Sequence, residues 1–173
     1  MTSTRQYYAD VFPYKEVTRF LMRHATRPLK YREIALCWLI KDKVKWQRFN
    51  SYKTGTLLIN DLKRRNPYGV YAGPVYCAEP SYRYIIGQEH LQAASHRLIF
   101  DVDITDYDDI RECECPTKKE GVKLCKRCWP LIAIALIVVQ YLLRYKHGLH
   151  ESLLTFSGSK GGHVWILDKD VQT

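Results

Sequence analysis

The sequence predicts a single compact domain of the α+β class, in which strands and helices are interspersed. Apolar residues recur at helical spacing in some segments and form short strand-like runs in others. The length of 173 residues lies near the usual size of one domain, and a hydrophobic fraction of 46% can supply a sizeable core. The composition shows no repeat, low-complexity tract or linker that would mark a domain boundary.

The first part of the chain predicts a helix followed by a β-hairpin. Pro13 suits the first turn of a helix, and apolar residues follow it at roughly helical spacing. The run 33–40 is rich in apolar residues and is followed by Lys41 and Asp42 and then by a second run, 44–49, which predicts a hairpin. The apolar residues of the predicted helix are Val17, Phe20 and Leu21.

A second helix and two strands are predicted next. Three leucines at helical spacing indicate the helix, and a turn at 66–69 that contains Pro67 and Gly69 ends it. The helix spans 54–65 and the strands span 70–77 and 97–104.

The last part of the chain predicts one apolar helix and two strands. Trp129 and Pro130 suit the start of the helix, and Gly148 suits its end. The apolar run 131–143 is shorter than the ~20 residues needed to span a bilayer, which predicts a buried helix and no membrane partner. The two strands, 153–156 and 164–167, flank a glycine-rich loop.

The charge balance predicts a polyanionic partner, such as nucleic acid or a triphosphate. The chain has 27 Lys and Arg against 18 Asp and Glu, a net charge of +9. Its N-terminus lacks the layout of a signal peptide, which predicts an intracellular protein. Against this basic background, residues 101–114 contain seven acids: Asp101, Asp103, Asp106, Asp108, Asp109, Glu112 and Glu114.

Asp101 and Asp103 are candidate ligands of a divalent cation. The two-residue period of a strand places both carboxylates on one face, with Phe100, Val102 and Ile104 on the other. Carboxylates held in this way can bind Mg²⁺ or Mn²⁺, which prefer oxygen ligands and often bind substrate phosphates as well. The alternative is a strand whose solvated face happens to carry two Asp.

The segment 157–163 is a candidate phosphate-binding loop. Glycine lets backbone N–H groups approach phosphate closely, and Lys160 and His163 can neutralise its charge. The spacing does not fit a Walker A loop, because a strand and not a helix follows. An ordinary glycine-rich hairpin loop is the alternative. The residues of the segment are Ser157, Gly158, Ser159, Lys160, Gly161, Gly162 and His163.

Four cysteines predict a structural zinc site. They form a C-x-C pair and a C-x-x-C pair separated by nine residues, which suits tetrahedral Zn²⁺ in a reducing compartment. Four reduced cysteines in a surface loop are the alternative. Four thiolates leave no open position for a substrate, so this site is assigned to folding. The ligands are Cys113, Cys115, Cys125 and Cys128.

With these motifs in order, the chain resembles the small, catalytic subunit of the archaeal and eukaryotic type of DNA primase, and the eukaryotic form most. The match runs from about Tyr7 to Asp168. It is carried by Tyr31-Arg32-Glu33 with Arg48-Phe49-Asn50-Ser51-Tyr52, by the acidic run 100–109, by the four cysteines followed by Trp129, and by the segment 157–165.

The resemblance implies a mixed-sheet primase catalytic fold over 1–173, with flanking helices and a zinc-knuckle insertion at 113–128. It implies that Asp101 and Asp103 bind the catalytic Mg²⁺ or Mn²⁺ and that Glu33 is catalytic. The implied nucleotide-binding residues are Arg48, Ser51, Ser157, Gly158, Ser159, Lys160, Gly161, Gly162 and His163.

The implied activity is synthesis of short RNA primers from ribonucleoside triphosphates on single-stranded DNA, in the nucleus. The implied partners are the large primase subunit and the DNA polymerase alpha complex.

Three departures from the family pattern leave alternatives open. Ser159 stands where the family usually has a basic residue, and the gap between the cysteine pairs is wider. The third metal-binding carboxylate of the family comes later than Thr173, so the chain is expected to correspond to the N-terminal part of the subunit. The alternatives are a catalytically incomplete, zinc-containing module that binds nucleotide or DNA, and a primase-related viral or repair polymerase.

Overall fold

A computed structural model describes residues 4–41, 43–113, 115, 124–157 and 160–171 of the chain. Contacts group the chain into two compact units, Met1–His96 and Arg97–Thr173. Each unit combines helices with an antiparallel sheet, so the predicted α+β class is confirmed. The single primase-type domain predicted over 1–173 stays a prediction.

The Met1–His96 unit is built on a four-stranded sheet with the order β2-β1-β3-β4, in which each neighbouring pair is antiparallel. Its strands are β1 (Arg32–Ile40), β2 (Lys43–Asn50), β3 (Gly69–Tyr76) and β4 (Ala93–Ser95). Its helices are α1 (Thr4–Gln6), α2 (Tyr14–Met22), α3 (Gly55–Arg65) and α4 (Arg83–Ile86), with a π-helical turn at Tyr7–Val11 and 3₁₀ turns at Leu29–Tyr31, Pro80–Tyr82 and Gln88–His90.

Local signals place the two longer helices of this unit, as predicted. Helix α2 follows Pro13, and its apolar side packs on the core. Helix α3 starts after Thr54, whose Oγ1 accepts a hydrogen bond from the N–H of Leu57 at 3.2 Å. It ends at Asn66, which adopts the left-handed conformation that commonly closes helices. The core includes Ile34, Leu36, Leu58, Ile59 and Leu62.

The predicted hairpin is also confirmed, since β1 pairs antiparallel with β2. The first six residues of β1 are buried, which makes it the central strand of the unit. The β1–β2 register shifts between Ile34 and Leu36, and Phe49, near the end of β2, has a positive φ of 63°. Such irregularities re-aim side chains, and they lie beside two predicted site residues, Glu33 and Arg48.

The Arg97–Thr173 unit is built on a three-stranded sheet with the order β5-β7-β6. Both outer strands pair antiparallel with β7, so β5 and β6 run in the same direction, joined by a crossover that contains α5. Its elements are β5 (Ile99–Asp103), 3₁₀ turns at Ile104–Tyr107 and Lys169–Val171, α5 (Trp129–His147), β6 (Ser152–Phe156) and β7 (Gly161–Ile166).

The prediction of a mixed sheet is wrong for the described strands, because every pairing of neighbours is antiparallel. The crossover could have placed β5 beside β6 as a parallel pair. Instead β7 lies between them, so the two strands that run in the same direction do not touch as neighbours.

Helix α5 differs from the buried helix that was predicted. Its bounds agree, since it begins at Trp129 and Gly148 closes it in the left-handed conformation. Only one side is buried, however, and four apolar residues on the other side are between 47% and 59% exposed: Ile134, Ile137, Val138 and Tyr141. By its length and composition alone, α5 could cross a membrane. This is weak evidence, because the core helix of a soluble protein passes the same test.

Candidate functional site

Strand β5 carries the predicted metal ligands. Asp101 lies opposite His163 of β7, and Asp103 lies opposite Gly161. Val102, between the two acids, is buried against the core, as the strand period predicts, and Ile104 is fully buried. Phe100 was predicted on the same buried face but is exposed.

Each of the two carboxylates faces a basic side chain from the predicted phosphate-binding segment. The Nε2 atom of His163 lies 3.3 Å from Oδ1 of Asp101. The Nζ atom of Lys160 forms an ion pair with Oδ2 of Asp103. The fold therefore brings together two acids and two bases that are about 60 residues apart in sequence, on neighbouring parts of one sheet.

Asp103 is held rigidly, because it also caps the 3₁₀ turn Ile104–Tyr107. Its Oδ1 accepts from the N–H of Thr105 at 3.1 Å, and its own N–H donates to Oδ2 of Asp106 at 3.3 Å. Partial burial by itself raises the pKa of Asp103. The hydrogen bonds from Lys160 and Thr105 outweigh burial and hold that pKa below its ordinary value, so Asp103 is ionised at neutral pH.

The carboxylates fit a hard divalent cation. The side chain of Asp101 is 74% exposed, so its oxygens can reach a ligand from solvent. Asp103 is ionised and pre-oriented, and Asp106 adds a third carboxylate that contacts the backbone of Asp103. Oxygen donors of this kind suit Mg²⁺ or Mn²⁺, and Lys160 and His163 would lie beside any phosphate that such a cation binds.

The glycine-rich segment forms less of a loop than was predicted. Strand β7 begins at Gly161, so Gly161, Gly162 and His163 are strand residues and the connection from β6 is shorter. The reason is close packing: a Cβ on Gly161 would lie 2.1 Å from the carbonyl oxygen of Val102. A Cβ on Gly162 would lie 2.7 Å from a methyl group of Leu136.

The described part of the connection is closed by its own hydrogen bonds. The N–H of Ser157 donates to the carbonyl of Gly161 at 2.9 Å, and the N–H of Gly161 donates to Oγ of Ser157 at 3.1 Å. Ser157 is thus in place at the end of β6, and the amide of Gly161 is already bonded within the protein. Two predicted nucleotide-binding residues, Gly158 and Ser159, lie outside the described residues.

The four cysteines come together as predicted. Their sulfur atoms lie within 4.8 Å of one another, and the Sγ atoms of Cys125 and Cys128 are 3.6 Å apart. A tetrahedral Zn²⁺ with Zn–S distances near 2.3 Å would separate its sulfurs by about 3.8 Å. The four side chains therefore fit a metal ion, with Cys113 and Cys115 completing the set.

Backbone N–H groups also point at the sulfurs of this cluster. The N–H of Cys125 lies 3.2 Å from Sγ of Cys128, and the N–H of Arg127 lies 3.3 Å from Sγ of Cys125. The hydrogen bond with Cys115 and the backbone amides of Cys128 and Arg127 lower the pKa of Cys125 to about 6, which favours the metal-binding thiolate. Residues 114 and 116–123 of the predicted zinc knuckle lie outside the described part of the chain.

In the Met1–His96 unit, Glu33 is fully buried and bonded on every side. It accepts two hydrogen bonds from Arg48, at 2.9 Å and 3.0 Å, one from the N–H of Phe49 at 3.1 Å and one from the hydroxyl of Tyr76 at 3.2 Å. Burial and the charge of Glu33 raise the pKa of Tyr76, so its hydroxyl stays a donor. All four contacts bind the carboxylate of Glu33 to other groups of the protein, and its predicted catalytic role stays a prediction.

Arg48 and Ser51, both predicted to bind nucleotide, line one cavity of about 620 Å³, here termed the Arg48 cleft. The hydroxyl of Ser51 donates to Oε1 of Glu79 at 3.2 Å and lies 2.9 Å from the Ser81 hydroxyl. The cleft is lined by Gln47, Arg48, Phe49, Asn50, Ser51, Tyr52, Lys53, Leu57, Asp61, Glu79, Ser81 and Arg83.

Sequence reasoning missed two residues that support Glu33. Tyr76 holds its carboxylate, and Gly73 leaves room for it, since a Cβ there would lie 2.9 Å from Oε2 of Glu33. Both are on β3, which pairs with β1. No local motif marks them, and only the pairing of the strands could have identified them.

Replacing Lys160 by Met is expected to raise the pKa of Asp103 toward or above the usual carboxyl value of about 3.9. In the parent chain, the lowered pKa of Asp103 stabilises the fold at pH values above the usual carboxyl pKa. This stabilisation is lost as the pH falls through the lower pKa that Asp103 has in the folded protein. Carboxyl ¹³C NMR titration measures the shift directly. The His163→Gln variant, which changes the partner of Asp101, is the control and should leave the pKa of Asp103 lowered. An unchanged Asp103 pKa in Lys160→Met would contradict the assignment.

Comparisons with known proteins agree on one family. A family model described as DNA primase small subunit matches residues 100–173. The DNA primase small subunit of Schizosaccharomyces pombe is 31% identical over 166 residues, which are 95% of this chain and 35% of that protein. Those of Saccharomyces cerevisiae and Drosophila melanogaster are each 29% identical over 94% of this chain, and 38% and 35% of their own lengths are covered.

The predicted resemblance to DNA primase small subunits is thereby confirmed. The chain spans little more than a third of the length of the curated relatives that it matches.

Proposed function

Because this chain is a homologue of DNA primase small subunits, we propose that it forms part of a DNA primase. That enzyme would synthesise short RNA primers from ribonucleoside triphosphates on a single-stranded DNA template. The observation that carries this proposal is the contact of Asp101 with His163 of β7 and of Asp103 with Lys160, the residue before β7. Nucleotidyl transfer needs carboxylates that can hold a divalent cation next to basic groups that can bind phosphate, and these four side chains are adjacent.

In this proposal Asp101 and Asp103 would hold Mg²⁺ or Mn²⁺, and a bound cation would supply positive charge to the triphosphate during transfer. Lys160 and His163 neutralise the phosphates and align them. The oxygen of a 3′-hydroxyl forms a bond to the α-phosphorus, and the bond from that phosphorus to the α,β-bridging oxygen breaks. Pyrophosphate leaves, and the hydroxyl proton passes to solvent. The chain contributes position and charge, which is most of the catalysis in phosphoryl transfer.

The proposed role of the four cysteines is structural. Cys128 directly precedes α5, and α5 packs on the sheet that carries Asp101. A Zn²⁺ held by the cluster would therefore hold the start of α5 in place. By family resemblance we also propose that the chain functions in the nucleus, with a large primase subunit and the DNA polymerase alpha complex as partners.

The test is ribonucleotide incorporation on a single-stranded DNA template with Mn²⁺, comparing the parent chain with Asp101→Ala. Removing one metal ligand is expected to lower the rate by at least about a hundredfold, because the cation stabilises charge that develops in the transition state. The matched control is Asp109→Ala, an exposed acid of the same acidic segment, which should keep the parent rate. Equal rates for the parent and Asp101→Ala would refute the proposal.

One observation also supports a second candidate function: Lys160 and His163 lie side by side with Asp103 and Asp101 and could bind phosphate without any transfer following. A module that binds nucleotide or DNA without turnover would show no incorporation with any variant. It would still bind ribonucleoside triphosphate with Mn²⁺, more weakly after Lys160→Met. Measurable incorporation by the parent would exclude this candidate.

A further inference from the structure

The Arg48 cleft presents positive charge to a ligand, although it is lined by two acids as well. Asp61 accepts a hydrogen bond from the hydroxyl of Tyr52 at 2.7 Å and forms ion pairs with Arg64 and Arg65. Glu79 accepts hydrogen bonds from the hydroxyls of Ser51 and Ser81 and forms an ion pair with Lys30 at 3.8 Å.

Two basic residues of the cleft remain available. Among the residues that the structure describes, neither Lys53 nor Arg83 has an acidic partner. Both can therefore neutralise an anionic ligand without breaking an existing ion pair.

Arg83, which lines the cleft, makes cation–π contacts with two aromatic rings. Its guanidinium carbon lies 4.8 Å from the ring centre of Phe49 and 4.1 Å from that of Tyr84, and its Nη2 donates to the Tyr84 hydroxyl at 2.7 Å. Tyr84 itself is 83% exposed. This pair, termed the Arg83–Tyr84 stack, presents an exposed aromatic ring next to a guanidinium charge.

A flat exposed ring next to several cations is the combination that binds single-stranded nucleic acid. Bases stack on aromatic side chains, and the phosphates that link them contact Arg and Lys. A free nucleotide would use one charged region, whereas the cleft and its rim offer cations at Lys53 and Arg83 and a stacking surface outside the cavity. The spread of these groups suits a strand that passes through the cleft and over its rim.

We propose that the Arg83–Tyr84 stack and Lys53 form a binding site for single-stranded nucleic acid, with one base on the Tyr84 ring and phosphates against Arg83 and Lys53. The identity of this strand as the template rests on the proposed function. The binding itself follows from the groups in the Met1–His96 unit alone.

The experiment measures binding of a 5′-fluorescein-labelled oligo(dT) of 20 nucleotides to the full chain by fluorescence anisotropy. Loss of stacking in Tyr84→Ala is expected to raise Kd by roughly tenfold, within the range of ~1–3 kcal/mol per stacked base. Tyr84→Phe keeps the ring and should bind like the parent. Arg83→Ala should lower the slope of log Kd against log salt by about 0.7, the value for one phosphate contact on a single strand.

The matched control is Tyr145→Ala. Tyr145 is 67% exposed and lies next to Arg144, whose guanidinium carbon is 5.9 Å from its ring, but it belongs to α5 in the other unit. This variant should keep the parent Kd. Equal Kd values for Tyr84→Ala and the parent, or equal losses in Tyr84→Ala and Tyr145→Ala, would overturn the proposed site.

The two proposals can fail separately. If the parent incorporates nucleotide but Tyr84→Ala binds the oligonucleotide as tightly as the parent, the strand site is refuted while the primase activity stands. If no variant incorporates nucleotide but Tyr84→Ala still weakens oligonucleotide binding, the strand site stands without the activity.

Discussion

Removing the metal from the four-cysteine cluster is expected to unfold the part of the Arg97–Thr173 unit that depends on α5. Structural zinc contributes folding free energy directly, on the order of 10 kcal/mol in small zinc-binding peptides. That exceeds the whole stability of many domains. Cys128 is buried and directly precedes the first residue of α5. Loss of the metal is therefore expected to free the start of the helix that covers the sheet.

Metal analysis and circular dichroism measure this effect. The purified chain should contain about one zinc ion, and Cys125→Ser should contain almost none and lose helical signal. Cys77→Ser is the control, because Cys77 is an exposed free cysteine outside the cluster. A parent chain without bound metal, or one whose thermal midpoint is unchanged by a strong chelator, would show that the cluster is not a structural metal site.

Arg48→Ala is expected to destabilise the Met1–His96 unit by about 3–5 kcal/mol, the usual cost of leaving a buried charge without its partner. Among the described residues, the carboxylate of Glu33 would keep the hydroxyl of Tyr76 and the N–H of Phe49 as donors. Glu33→Gln should cost less, about 1–3 kcal/mol, because Arg48 is 57% exposed and its charge can turn to water.

Urea unfolding of the three variants and the parent gives a double-mutant cycle for this pair. Arg48→Ala combined with Glu33→Gln should be more stable than Arg48→Ala alone, since no buried charge remains. The control is Arg64→Ala, which breaks an exposed ion pair with Asp61 and should cost less than about 1 kcal/mol. Similar losses in Arg48→Ala and Arg64→Ala would contradict the expected cost of removing the buried Arg48–Glu33 contact.

Most helices and strands were predictable because their signals are local. Thr54, Asn66 and Gly148 cap helices at or next to the residues where the sequence predicts the helices to begin or end. The alternation around Val102 and the two cysteine pairs are equally local, and each involves residues that are close in sequence. The predicted roles of the individual site residues remain predictions, although several of those residues are close together in the structure.

Other features depend on strands that meet from distant parts of the chain. Gly161 and Gly162 resemble loop residues in sequence, yet they are strand residues because β5 and α5 approach their backbone too closely for a side chain. The outer side of α5 is as apolar as a core helix, but in the described residues only its inner side has a sheet to pack on.

The sequence by itself determined the α+β class, the helix ends, the four-cysteine cluster and the candidate acids and bases, since periodicity, capping and ligand spacing act over a few residues. Only the tertiary structure decided that His163 contacts Asp101, that Lys160 contacts Asp103, and that Tyr76 supports a buried Glu33. Those contacts follow from strand order and register, which depend on the packing of the whole unit and not on any short segment.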